Sequence, residues 1–75
     1  MDTFIQDLIN SYKFRIESAY SISQQKWLNV DEIAWINKRL AQCELLTDMI
    51  SHYTNDDTYK IDFANKAKEI KRRLS

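Results

Sequence analysis

Cys43 and His52 are the only cysteine and the only histidine in the chain, and they are its first candidates for nucleophilic or proton-transfer chemistry near neutral pH. Both fall in one stretch of helical periodicity, where nine positions correspond to about 13 Å of rise. That is too far for the imidazole to take a proton from the thiol. A structural zinc site needs four ligands at close spacing, and one cysteine with one histidine does not begin one. Cys43 lies in an apolar stripe, where a free cysteine behaves as a small hydrophobe. His52 falls near a helix end, where a cation suits the helix dipole. The carboxylate pairs are equally ordinary: Asp31-Glu32 and Asp56-Asp57 stand where helices begin, and Glu44 with Asp48 makes one polar face. Glycosidase-type acid chemistry needs two carboxyls across a cleft, for which so short a helical chain has little room. With no glycine at all, phosphate-cradling loops of the dinucleotide and P-loop kinds are excluded. The residues therefore point to a chain that is not an enzyme, uses no cofactor or metal, and acts by binding.

Two surfaces are candidates for that binding. Phe14 stands alone among polar residues on its helix face, and Trp27, Trp35, Met49, Tyr53 and Ile61 add more large apolar side chains than a small core readily absorbs. Aromatic residues and methionine are the types that anchor protein interfaces, so Phe14, Trp35, Met49 and Tyr53 are the expected anchors for a protein partner. The second surface is the basic end, Lys66-Ala67-Lys68-Glu69-Ile70-Lys71-Arg72-Arg73. On a helical wheel Lys60, Lys68, Lys71 and Arg72 share a face that could follow a phosphate backbone. No aromatic lies on that face to stack bases, and cations in a last turn are favoured by the helix dipole alone. Nucleic acid is therefore the alternative partner.

The elements that position these residues follow from apolar spacing. In residues 4–28, Ile5, Leu8, Ile9, Tyr12, Ile16, Ala19, Tyr20 and Trp27 recur at three and four and define a first helix. Asn29 with Glu32 three residues on reads as a capping box, starting a second helix over 30–53. Its apolar residues form two stripes: Ile33, Ile36, Leu40, Cys43 and Ile50, then Trp35, Leu46, Met49 and Tyr53. Together they cover about half the circumference, which requires neighbours on two sides. Thr54-Asn55-Asp56-Asp57 ends this helix and offers a second capping signal. A third helix over 58–74 then carries Tyr59, Phe63, Ala67, Ile70 and Leu74 on one seam, with Asp62–Lys66 and Glu69–Arg73 as supporting pairs.

The expected fold is thus one all-α domain. It is either a three-helix bundle with the second helix central or a helical hairpin plus a short third helix. Surplus apolar surface on the second helix leads to the expectation of a homodimer, since a two-fold copy closes such a patch. The eleven basic and eleven acidic residues cancel, so no overall field draws the chain to polyanions or membranes. No apolar run approaches the roughly 18 residues of a membrane span. Met1-Asp2-Thr3 does not resemble a secretion signal, and one cysteine fits a reducing compartment, so the expected location is the cytoplasm. Abundant Ile, Lys, Asn, Asp and Tyr are typical of AT-rich genomes, and compact helical chains of this kind are common among phage and mobile-element products. The reading is a protein-interaction module, an adaptor or inhibitor docking on a host or cognate protein.

Overall fold

A computed structural model of the chain, describing residues 3–74, contains three helices and, among those residues, no strand: α1 (Thr3–Ser23), α2 (Val30–Thr54) and α3 (Thr58–Leu74). None of them is long and apolar enough to cross a membrane. They make a narrow bundle of 41 × 18 × 14 Å. Cross-helix contacts fix the directions. Phe4 meets Tyr53, Arg15 meets Gln42, and Ile22 shares a groove with Trp35, so α1 and α2 are antiparallel. Tyr12 meets Asp62, Tyr20 meets Glu69, and Ser23 meets Arg73, so α3 runs parallel to α1. All three helices pack on one another. The second helix packs on both of the others and carries most of the cross-helix packing, while α1 and α3 also meet, so the three form a triangle.

The core is built from Leu8, Ile9, Tyr12, Ile16 and Ala19 of α1, Ile36, Leu40, Cys43 and Ile50 of α2, and Ala67 and Ile70 of α3. These recur at three, four and seven along each helix, the spacing that keeps one stripe facing inward. Tyr12 sits at the junction of α1 with α3. Its ring meets Tyr59 and Phe63 edge-on at 5.9 and 6.5 Å, and its hydroxyl donates to Asp62 Oδ2 at 2.6 Å. The same carboxylate oxygen lies 3.2 Å from Lys66 Nζ, the expected i,i+4 pair. Burial, then the hydrogen bond to Asp62 and that residue's charge, push the Tyr12 hydroxyl far above its ordinary ionisation range.

Helix ends show where local sequence governs and where it does not. At α2 the capping box forms as expected: Glu32 N–H donates to Asn29 Oδ1 at 2.8 Å and Asn29 N–H to Glu32 Oε1 at 3.1 Å. The other end closes on Asn55 in the left-handed conformation (φ 54°, ψ 32°), its N–H donating to Ser51 O at 2.9 Å. Asparagine substitutes there for the glycine the chain lacks. The expected Thr54–Asp57 capping pair does not form. Thr54 Oγ1 instead donates to Ile50 O, Asp57 accepts from Ser51 Oγ, and Asp56 Oδ1 receives both the N–H and the hydroxyl of Thr58. Those two bonds, the hydroxyl's foremost, hold the Asp56 carboxyl below its usual range.

The first helix ends at Ser23, five residues before the end that periodicity predicts. Gln24 and Gln25 donate to carbonyls three residues back, which tightens the last turn, and Arg73 Nε donates to Ser23 O at 3.0 Å. Trp27 consequently lies in the connection, 81% exposed and off the apolar face assigned to it. Glu69 and Arg73 do not pair with each other, because both turn to α1: Tyr20 donates to Glu69 Oε1 at 3.2 Å and Arg73 caps Ser23.

Replacing Tyr12 with Phe keeps the ring contacts and removes only the hydroxyl bond to a carboxylate. The expected loss is about 1–2 kcal/mol, read as a lower urea midpoint with unchanged slope.

Candidate functional site

α3 covers one side of the α1–α2 hairpin. The other side carries side chains from α1 (Phe4, Ser11, Phe14, Arg15, Ile22) and from α2 (Trp35, Arg39, Gln42, Met49, Tyr53), each set following the i, i+3, i+4 steps of a single helix face. At one end Phe14, Ile22 and Trp35 line a shallow open groove with Glu17, Ser18 and Ser21. A neighbouring recess adds Asn29, Asp31 and Glu32 around the same Ile22 and Trp35. At the other end Phe4 and Tyr53 meet edge-on, with ring centroids 5.5 Å apart, and His52 lies against Tyr53 at the same distance. Edge-on geometry is the arrangement aromatic quadrupoles favour.

Of the four expected anchors, Phe14 and Trp35 are brought together from different helices. Met49 and Tyr53 sit at the far end, about 27 Å along α2 from Trp35 to Tyr53. Phe14 is 66% exposed and Tyr53 57%, whereas Trp35 and Met49 are half-buried against the core. The bundle thus absorbs part of the surplus attributed to α2, and two of the four anchors present only one edge. Phe4 and Ile22 complete the two clusters. Neither was distinguishable by sequence, because both fall on the margin of the α1 apolar stripe. Ile61 and Leu45 are also exposed, and neither lines the groove or the aromatic pair.

Between the two apolar ends lies a polar centre. Arg15 Nε donates to Gln42 Oε1 at 3.2 Å, and Arg39 Nη1 donates to the same oxygen at 3.3 Å. Arg15 Nη1 also donates to Ser11 Oγ at 2.6 Å and, at 3.4 Å, to Ser11 O. The Arg39 guanidinium stacks over the Trp35 ring, 4.9 Å from its centroid. Beneath this centre is Cys43, fully buried. Desolvation pushes its thiol up to about 11, against the opposing pull of Arg15 and Arg39.

The basic residues of α3 fare differently. Lys60 pairs with Asp48 across α2 and α3 at 3.3 Å. Lys68 and Lys71 line a groove between those helices together with Leu40, Glu44, Phe63 and Ala67, so a carboxylate lies within the surface they share. Arg72 is exposed on the last turn, while Lys66 and Arg73 are engaged by Asp62 and Ser23. The four cations expected to face one phosphate backbone are therefore partly matched by the protein's own acids. Among the described residues, no group of three or more His, Cys, Asp or Glu side chains is placed to hold a metal ion. Comparison with models of known families, with curated proteins and with solved structures finds no match for this chain.

The buried thiol gives an alkaline signature. Because the folded value, about 11, lies above the ordinary 9.0, the unfolded state ionises first as pH rises. Stability is expected to be flat below pH 9 with respect to this group and to fall between 9 and 11. Thermal melts of the wild type and Cys43→Ala across that window check this, the variant losing the early part of the decline. A thiol-reactive dye at pH 8 should label the native chain only as fast as it opens.

Proposed function

We propose that this chain is a non-catalytic protein-interaction module, an adaptor or inhibitor that uses the side of the α1–α2 hairpin left uncovered by α3. One observation carries the reading: Phe14 and Trp35, from two different helices, open together into one groove on that side. An aromatic pair flanked by polar residues is the pattern of an interface anchor and not of a core. The Phe4–Tyr53 pair extends the same face over the length of the bundle. A helix laid along it would complete a four-helix arrangement, the simplest way to bury a hairpin's second side. A second copy of the chain is one such occupant, which makes homodimerisation the self-complementary form of the same proposal. On this reading the module works in the cytoplasm, without cofactor or metal, as phage and mobile-element adaptors do.

Nucleic-acid binding through Lys68, Lys71 and Arg72 is the second reading. The clustering of cations on α3 favours it, while the Lys60–Asp48 pair and Glu44 beside Lys68 and Lys71 weigh against it.

The test compares the wild type with a Phe14→Ser/Tyr53→Ser variant. Both positions are more than half exposed and lie outside the core, so the fold should survive with a loss of about 1–2 kcal/mol, part of it the Phe4–Tyr53 ring contact. In sedimentation equilibrium at micromolar concentration, self-pairing gives a mass above 9.0 kDa that drops in the variant. In affinity purification from the native host, the variant should lose the protein that the wild type retains. Identical behaviour of the two chains in both experiments would overturn the docking reading. Retention on DNA or RNA that weakens steeply with salt would instead favour the basic helix.

A further inference from the structure

The polar centre of the uncovered face contains more positive charge than the protein answers. A guanidinium offers five N–H donors and no acceptor. Arg15 and Arg39 nevertheless converge on one neutral oxygen, Gln42 Oε1, so their nitrogens are no farther apart than the two hydrogen bonds together allow. The other bonds Arg15 makes go to the hydroxyl and carbonyl of Ser11, again uncharged. Neither arginine has a carboxylate partner among the described residues, although the lysines Lys60 and Lys66 both do. Both side chains are also held in place, Arg15 by Ser11 and Arg39 by the Trp35 ring beneath it. Two like charges fixed side by side in a partly buried seam repel each other unless an anion joins them.

We propose that Arg15 and Arg39 form a receptor for one carboxylate side chain, supplied by an acidic residue in the middle of an amphipathic helix from another protein. The proposal rests on the docking reading above and names the chemistry of the partner. Charge complementarity selects this occupant. Glu17 borders the Phe14–Trp35 groove, and Asp31 and Glu32 border the recess beside it. A phosphate backbone or an anionic membrane would meet these acids at the rim. A helix with one central Asp or Glu, apolar residues about one turn away on one side and about three on the other, and bases at its edges meets the arginines, the aromatic ends and the rim in turn. A second copy of this chain is a poor match at the centre, since a two-fold axis there sets four guanidiniums against one another. The opposite side of the hairpin already shows the same solution. There α3 docks with one carboxylate, Asp62, accepting from Tyr12 and flanked by Tyr59 and Phe63.

The first test needs no partner. Gln42→Glu places a carboxylate where both guanidiniums already converge, so its charge-assisted bonds should raise Tm by about 4–8 °C in low salt, with the gain shrinking as salt rises. An unchanged or lowered Tm overturns the proposal. In the second test the Nε–H resonances of Arg15 and Arg39 are followed by NMR in the wild type as sodium acetate is added, with sodium chloride as the reference. Both signals should move together and saturate, and the response should vanish in Gln42→Glu. Movement with inorganic phosphate but not acetate makes the site a phosphoryl receptor and overturns the carboxylate assignment, as does movement with neither. A partner lost by Phe14→Ser/Tyr53→Ser but held undiminished by Arg15→Gln/Arg39→Gln overturns the carboxylate receptor and leaves docking standing. A wild-type dimer abolished by Arg15→Gln/Arg39→Gln makes the second copy the occupant and overturns the proposal.

Discussion

α3 reaches α1 only by way of α2, yet it runs parallel to α1 in contact with it, so its axial position must be set by side chains about fifty residues apart. Tyr12 and Asp62 set it. The tyrosine is fully buried, and a buried hydroxyl without a partner costs about as much as a lost hydrogen bond or more. Sliding α3 by one residue moves Asp62 about 1.5 Å along the axis and breaks a short bond to a charged acceptor. Ring packing against Tyr59 and Phe63 on either side of Asp62 resists the same slide. With that register fixed, Arg73 arrives at the last carbonyl of α1 and Glu69 at the Tyr20 hydroxyl. The end of the first helix is thus tied to the third.

The same dependence explains which parts of the fold were legible in the sequence. The start of α2 was, because Asn29 and Glu32 cap it with atoms three residues apart. Its end was legible from the polar run after Tyr53, and α3 from its narrow seam. The end of α1 was not. Trp27 continues the apolar rhythm of Ile16, Ala19 and Tyr20, and nothing near it in sequence stops the helix. Besides the local turn at Gln24 and Gln25, the last carbonyl of α1 is bonded by Arg73, whose neighbours give no sign of that role. Thr54 and Asp57 matched a capping pattern, but Ser51 lies close enough to Asp57 to claim its carboxylate, leaving the cap to Asp56.

The candidate site was legible in its apolar part and hidden in its polar part. Phe14 stood out as the one large hydrophobe on a polar face, and the width of the α2 stripe showed that something beyond one neighbour covers it. How the stripe divides between core and surface was not visible, because Trp35 and Met49 lie on the boundary and each does both. Arg15, Arg39 and Gln42 carried no signal, since a polar side chain in a seam between helices looks, in one sequence, like a polar side chain in water. Their convergence is a property of the α1–α2 register. The Lys60–Asp48 pair was hidden for the same reason, since Asp48 sits on the preceding helix.

The two sides of the α1–α2 hairpin differ in how far they are buried. One side is committed to α3 and holds Tyr12, Ile16, Ile36 and Ile70 at almost no exposure, where a change of even a methyl group is felt in stability. The other side bears Phe14 and Tyr53 more than half exposed, so substitutions there disturb the core little. On the docking reading proposed above, recognition draws mainly on exposed residues and foldability on buried ones of the same two helices, with Trp35 and Met49 shared between them. A scaffold so divided can drift toward a new binding partner one exposed position at a time, each intermediate still folding as its predecessor did.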